Sequence, residues 1–443
     1  MQNRNKGITL IALIITIIIL LILVGVSINL AIKGDLFGSA EKAVSGTNDK
    51  TAQEQTRVDE LMGELDKVEK QQKEQEEAEK QKNLLGKRVT ENTKYVSNGK
   101  TAWIPKGFTV SGIKSEQSID KGLVIYDIPE GTTPDWSNPD SVKTKYNQFV
   151  WIPVEVKSSD TETKIASFYS SAWVENATTG GERTTGLSTN YTEPYSYDTT
   201  NNYDQTTGIT AQITELTKSI YKYGGFYIAR YEAGTTTIRT SETSETEVVV
   251  IQQDKYPYIY AEWGKSMSDV SRGAVYLSNN LYTSENTNYG ATSMLCTGAA
   301  WDSMLDFVKD SKHSVTNSTN WGNHYDSETY KVYRGSLYSN SVWSDADKTN
   351  GSEVIKGSKT ILTTGATERN CSRNIYDVAG NCQEWTTEAY SSENRVLRGG
   401  SFYNSGASCP ASYHSYFTPT YFNNNRHLFI NLRLCFRPIL YVK

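Results

Sequence analysis

Hydrophobic residues are distributed along this chain in three regimes, and each regime predicts a different kind of element. From Ile8 to Ile32 the sequence is an almost unbroken apolar run, relieved only by small or weakly polar residues such as Thr9, Thr16, Gly25, Ser27 and Asn29. A helix rises about 1.5 Å per residue, so a run of this length crosses the ~30 Å hydrocarbon core of a bilayer. From Glu41 to about Lys82 the chain is Glu, Lys, Gln and Ala with almost no Gly or Pro, which favours helix. Val58, Leu61, Leu65 and Val68 recur there at three- and four-residue steps before the stripe dissolves into Gln71, Gln72, Glu74, Glu76 and Glu77. A sustained coiled coil needs three or more heptads of apolar seam, so a solvated helical stalk with at most a brief self-pairing patch is expected.

Beyond Leu85 the third regime begins: short β-prone runs such as Thr101-Ala102-Trp103-Ile104-Pro105 and Phe149-Val150-Trp151-Ile152-Pro153-Val154, separated by Gly, Asn, Asp and Pro. This pattern predicts a β-rich or α+β domain. One helix stands out, Ala299 to Lys309, where Trp301, Leu305 and Val308 recur at helical spacing. Residues 155–216 are rich in Thr, Ser, Tyr and Asn with weak hydrophobic patterning, and are read as a long surface insertion.

Charge orients this arrangement. Arg4 and Lys6 precede the apolar run while Lys33 and Asp35 follow it, so the short basic leader stays in the cytoplasm and the rest lies outside. A cleavable signal peptide would have a shorter apolar stretch ending at a small-residue site. The net charge of −5 and the lack of a basic block exclude the electrostatic footprint that a phosphate backbone requires, so no nucleic-acid partner is expected. The five cysteines are scattered, odd in number and without paired zinc spacing, which argues against a disulfide-stapled scaffold while leaving a single bridge open.

The apolar run starts directly after Lys6-Gly7, in the string Lys6-Gly7-Ile8-Thr9-Leu10-Ile11. This segment resembles the leader of type IV pilins and pseudopilins. The resemblance implies that a prepilin peptidase cuts between Gly7 and Ile8 and that other pilins are partners. Where that family usually carries Glu, at the fifth residue of the mature chain, this sequence has Ala12. The acid that neutralises a neighbouring terminal amine in a filament is therefore missing, and a minor pilin and a simple membrane anchor both remain open.

A second set of strings lies in the large domain: Tyr223-Gly224-Gly225-Phe226-Tyr227-Ile228-Ala229-Arg230-Tyr231-Glu232, the Trp301 helix, Asn374 to Trp385, Arg398-Gly399-Gly400-Ser401-Phe402 and Cys435-Phe436-Arg437-Pro438. Their order resembles the formylglycine-generating, sulfatase-modifying enzymes, whose fold is similar to the C-type lectins and to the variable proteins of diversity-generating retroelements. The resemblance spans roughly residues 100 to 443. It implies an α+β, C-type-lectin-like domain of the formylglycine-generating subtype, with a transmembrane helix and a helical stalk in front. Read from the residues, Trp385 and Phe402 offer large surfaces for a core, and Arg398 and Arg437 are expected to stack or pair internally.

The chemistry of that family needs two cysteines after the Gly-Gly-Ser string, close enough to hold copper between soft thiolates. The later position corresponds to Cys409, but the earlier is Asn404. No copper and no formylglycine-generating activity are therefore expected. The four histidines, His313, His324, His414 and His427, accompany no nucleophile motif and are read as surface or contact residues. In the resembled family the segment around Asp377 wraps calcium; here the resemblance implies Asp377 and Glu384 as carboxylate ligands with backbone carbonyls of Gly380 and Cys382, hard oxygens of the kind calcium takes. The alternative is that both carboxylates cap turns and pair with Arg398 or another base. Whether Cys371 and Cys382 bridge is not decided by their spacing.

From Phe402 to Phe436 the sequence contains no Lys, Gln, Glu, Met or Trp, types that together make up about a fifth of ordinary compositions. These five cannot arise by replacing adenines in an Asn codon that ends in a pyrimidine. The bias is therefore the one adenine-directed diversification leaves, as in the retroelement variable proteins; a fixed Tyr/Asn-rich loop is the alternative. In either case Tyr403, Tyr413, Tyr416, Phe417, Tyr421, Phe422 and Phe429, interspersed with Asn404, His414, Asn423, Asn425 and His427, match an antibody-like contact surface. Tyr supplies contact area at small entropic cost and small polar residues adapt their hydrogen bonds.

The expected organisation is thus a cytoplasmic leader (1–7), a membrane-spanning, pilin-like helix (8–32), a charged helical stalk (33–86) and the C-type-lectin-like domain (87–443). Residues 402–436 would meet an external protein or glycan at the cell surface or on a pilus.

Overall fold

The computed structural model describes residues 40–156, 172–174, 182–184, 206–240, 248–264, 273–390, 394–417 and 434–443. The Gly7-Ile8 junction, the apolar run 8–32 and Tyr421, Asn423, Asn425, His427 and Phe429 lie outside the described residues. Among those described, no helix is long and apolar enough to cross a membrane.

The chain divides into two units, residues 1–79 and 80–443. In the first, helix α1 begins at Ala40 and continues to Leu84, and Val58, Leu61, Met62 and Val68 on it are exposed.

The second unit is α+β. Its larger sheet is antiparallel and six-stranded. In chain order the strands are β1 (Thr109–Val110), β2 (Val124–Tyr126), β3 (Gln148–Pro153), β4 (Gly225–Ala229), β5 (Ala291–Leu295) and, at the C-terminus, Pro438–Val442. The smaller, four-stranded sheet comprises β6 (Gln383–Ala389), β7 (Arg395–Arg398), β8 (His414–Phe417) and β9 (Leu434–Phe436). Pro438–Val442 is β10. The sheet orders are β5-β10-β4-β3-β2-β1 and β8-β7-β6-β9. One residue, Arg437, separates β9 from β10, so it joins the two sheets.

Strands β3 and β4 are buried along nearly their whole length, which is why they read as continuous apolar runs rather than alternating ones. Helix α2 (Thr206–Tyr223) contradicts part of the expectation for 155–216. Ile209, Ile213, Leu216 and Ile220, at steps of four, three and four, are buried in the main core, so the end of the supposed surface insertion is a packed helix. Most of its polar residues are exposed, and with the buried Thr217 and Ser219 they dilute the stripe in any short window of sequence. Helix α3 is Ala274–Asn279. Helix α4 (Gly298–Val308) forms where helical spacing placed it: Thr297 caps its start by accepting from Ala300 N at 3.0 Å, and Trp301, Leu305 and Val308 are buried.

Candidate binding face

Both ends of residues 402–436 are fixed by buried arginines. At the near end, Arg398 on β7 is fully buried and lies against Asp302 of α4, Glu388 on β6 at 3.3 Å and His414 on β8. Arg donates and never accepts, so His414 Nε2 is the acceptor in that contact. At the far end, Arg437 forms a two-pronged pair with Glu384, Nη2 to Oε1 at 2.6 Å and Nε to Oε2 at 2.9 Å. It also donates to the carbonyls of Ala229 and Tyr376, both at 2.9 Å. The internal pairing expected for both arginines is present.

The first part of the stretch is framework. Phe402, Gly406, Pro410, Ala411 and Ser412 are buried. The loop is held by residues 315–326: Ser318 N donates to Gly406 O at 2.9 Å, Ala411 N to Ser318 Oγ at 3.0 Å and Ser412 N to Val315 O at 3.1 Å. Asp326 accepts from Ser405 Oγ at 2.6 Å and Gly406 N at 2.9 Å. Asn404 is tied on two sides, its carbonyl accepting from Tyr325 N at 3.2 Å and its Oδ1 from Ser401 Oγ at 2.6 Å. Asn404 is thus a structural hydrogen-bonding group.

His324 is the peg under this loop. It is 3 % exposed, and a Cβ on Gly400 or Gly406 would come within 3.2 and 2.8 Å of its ring. Gly400 also has φ +66° and a Cβ there would lie 2.2 Å from Cys409 O, so only glycine fits. Burial pushes the His324 pKa down to about 4, against the pull of Asp326. His324 and His414 are therefore not surface residues, a correction to the sequence reading. Histidine spacing carries no burial signal, whereas the flanking glycines and Arg398 enclose these two rings.

Besides Ala407 and Ser408, the exposed residue of the described stretch lies on β8. That strand pairs antiparallel with β7 in the register Arg398↔His414, Val396↔Tyr416 and Arg395↔Phe417. His414 and Tyr416 share a face by alternation, and along that face the strand rises from the buried His414 to Tyr416, which is 45 % exposed. Tyr403, Tyr413 and Phe417 are half-buried, with the Lys359 ammonium 3.5 Å above the centre of the Tyr403 ring. Strands β8 and β9 are the two edges of one sheet.

A residue that the sequence reading missed completes the face. Tyr390, just after β6, stacks on Tyr416 with ring centroids 3.8 Å apart and planes 4° from parallel. Nearby, the Arg395 guanidinium lies 4.7 Å over the Trp263 ring, whose Nε1 donates to Thr386 O at 2.7 Å across the irregular part of β6. Only the proximity of the β6–β7 hairpin to β8 brings Tyr390 here, and no local motif marks it.

Both carboxylates of the residue set expected for calcium have protein partners. Glu384 is engaged by Arg437, and Asp377 accepts from Gly365 N at 2.7 Å and Asn370 Nδ2 at 3.4 Å. Burial raises the Asp377 pKa to about 6. Burial and then the Asp377 and Glu384 charges push the Glu232 pKa well above the usual carboxylate range. Cys382 is buried and free, as is the half-buried Cys371, so the two form no bridge. Among the described residues no group of three His, Cys, Asp or Glu side chains is arranged to hold a metal ion. The other reading of Asp377 and Glu384, turn capping and pairing with a base, describes their contacts.

The sequence matches no protein-family model and no curated protein. Among solved structures it is similar to Treponema denticola variable protein 1 at 13% identity, over 80% of this chain and 99% of that chain, with a TM-score of 0.21.

Proposed function

We propose that this chain is a surface binding protein, anchored in the membrane or on a pilus through residues 8–32, carried on the 33–86 stalk, and meeting an external protein or glycan through the face built on β8. The C-type-lectin-like, formylglycine-generating subtype of fold suggested by the ordered strings belongs to this proposal, as does adenine-directed diversification of 402–436. One observation carries the binding reading: on edge strand β8 Tyr416 stands exposed and stacked on Tyr390, while the buried His414 two residues before it is held against Arg398. Rigid support under a variable, polar-aromatic loop is the arrangement that gives contact surfaces low ordering cost.

The test is binding of the purified full chain, in detergent, to arrays of glycans and of extracellular proteins. Simultaneous replacement of Tyr390, Tyr413 and Tyr416 by Ala is expected to abolish the signals while lowering the melting temperature by only the few degrees that loss of the stacked pair brings. True anchors cost about 2 kcal/mol or more each when truncated. Undiminished binding by the triple variant would refute the assignment of this face.

A further inference from the structure

Residues 336–345 form a hairpin in which Ser336–Ser339 pairs antiparallel with Val342–Asp345, from Ser339↔Val342 to Ser336↔Asp345. Asn340 and Ser341 between the strands have φ of +53° and +65°, so the connection is a two-residue type I′ turn. The inner strand pairs on its other side with Ile361–Leu362, which leaves Val342–Asp345 as the open edge of this three-stranded sheet.

The register fixes which backbone groups that edge presents. In a two-residue hairpin the pair closing the turn exchanges both hydrogen bonds, and bonded and non-bonded pairs then alternate. Ala346 N donates to Gly335 O at 2.9 Å, in the same parity, and Thr363 N donates to Ser336 O at 3.0 Å from the inner side. Val342 and Ser344 therefore direct their N–H and C=O groups to the inner strand, while those of Trp343 and Asp345 point outward. No backbone group of the described residues pairs with them there. Val342 is 63 % exposed, and Ser344 and Asp345 are exposed as well. The strand is held in place by Trp343, half-buried with its ring centroid 4.9 Å from Tyr256 and 5.4 Å from Tyr338. Open edges are commonly guarded by Lys, Pro, a bulge or an inward-turned charge. This strand has no Lys, no Pro and a regular register, and its one charge, Asp345, accepts from Ser336 Oγ at 2.8 Å.

We propose that Val342–Asp345 pairs with the same strand of a second copy of this chain, antiparallel about a two-fold axis at Ser344, so that the two small sheets become one. In that register Trp343 of each copy exchanges its outward hydrogen bonds with Asp345 of the other, Ser344 meets Ser344, and Val342 meets Ala346. No like charges oppose one another: each Asp345 faces a tryptophan, and a pair of small hydroxyl residues sits on the axis, where such pairs are favourable. A self-complementary patch of this kind closes as a dimer without propagating. A four-residue edge buries less than the ~1,200 Å² of stable specific interfaces, so the contact forms between concentrated copies rather than as a permanent dimer. It is separate from the β8 face, and its test does not depend on the outcome there.

The experiment is disulfide trapping of the purified full chain, in detergent, under mild oxidation. Across a non-hydrogen-bonded antiparallel pair the Cα atoms are about 4.5 Å apart, within the reach of a disulfide. In the proposed register the two copies of residue 342 lie roughly 14 Å apart. Ser344→Cys is therefore expected to give covalent dimer at least about tenfold faster than Val342→Cys, and than the wild type with its native cysteines. Asp345→Pro removes an outward N–H and sets a ring on the open edge, where proline is tolerated. Added to Ser344→Cys, it is expected to suppress the dimer while leaving the melting temperature close to that of Ser344→Cys alone. Equal trapping at positions 342 and 344 would overturn the register, and trapping at neither above the wild-type level would overturn self-pairing. Undiminished Ser344→Cys dimer in a folded Asp345→Pro background would show that the edge is not what joins the copies.

Discussion

Tyr390 and Tyr416 stack face to face at 3.8 Å, one ring from the hairpin after β6 and the other from edge strand β8. The contact joins a residue outside the compositionally biased stretch to one inside it. An aromatic pair of this kind is worth about 0.5–1.5 kcal/mol beyond its area. A double-mutant cycle on unfolding free energy with Tyr390→Ala and Tyr416→Ala should therefore return a coupling of about 1 kcal/mol. Additive effects would show that the rings do not pair in solution.

The Glu384–Arg437 pair leads to a second expectation. Removing one partner of a buried pair strands the other charge, so Arg437→Met should destabilise the domain by about 3–5 kcal/mol. Because both Glu384 oxygens are engaged by Arg437, addition of calcium or of a chelator should leave the melting temperature of the wild type where it was. A calcium-dependent rise would mean that Glu384 serves a metal instead.

His324 makes stability depend on pH with a definite sign. Its folded pKa of about 4 lies below the unfolded value, so the folded state binds fewer protons and its contribution is fully present above about pH 6.5. That contribution is lost as pH falls toward 4. Asp377 acts in the opposite sense: its pKa is raised to about 6, so its contribution is present below about pH 4 and is lost as pH rises through 6. His324→Gln should flatten the acid-side loss relative to wild type across pH 6.5 to 4, measured by chemical denaturation at each pH. Parallel curves for the two proteins would remove the buried-peg assignment.

Helix α2 is tested by truncation. Ile213→Ala and Leu216→Ala should each cost about 2–5 kcal/mol, whereas a surface insertion would register within about 0.5 kcal/mol. Equilibrium unfolding in denaturant decides between them.

How much of this was legible beforehand differs by element, for physical reasons. Strands β3 and β4 and helix α4 were readable because their residues are apolar throughout or at helical spacing, and the arginines of the ordered strings were readable because a lone charge beside large aromatics needs a buried partner. Helix α2 was missed although Ile209, Ile213, Leu216 and Ile220 mark one face, since Thr, Gln and Lys residues dominate its composition. The binding face was half-legible. Composition pointed to Tyr416 but equally to His414 and Asn404, and only the register of β8 against β7 and the hydrogen bonds of the 401–412 loop separate exposed residues from framework. Tyr390 has no sequence signal, because its role is created by the approach of two strands.

The most direct measurement compares two displayed libraries of the chain under protease challenge and selection. One is randomised at Tyr390, Tyr413, Ser415 and Tyr416; the other at Ser401, Phe402, Gly406 and Ala411. The account predicts that most members of the first library stay folded, within about 1 kcal/mol of wild type, and yield binders to an unrelated folded protein, while most members of the second are cleaved. Loss of folding in the first library to the same extent as in the second would show that the β8 edge is core rather than a contact face, and would contradict the account.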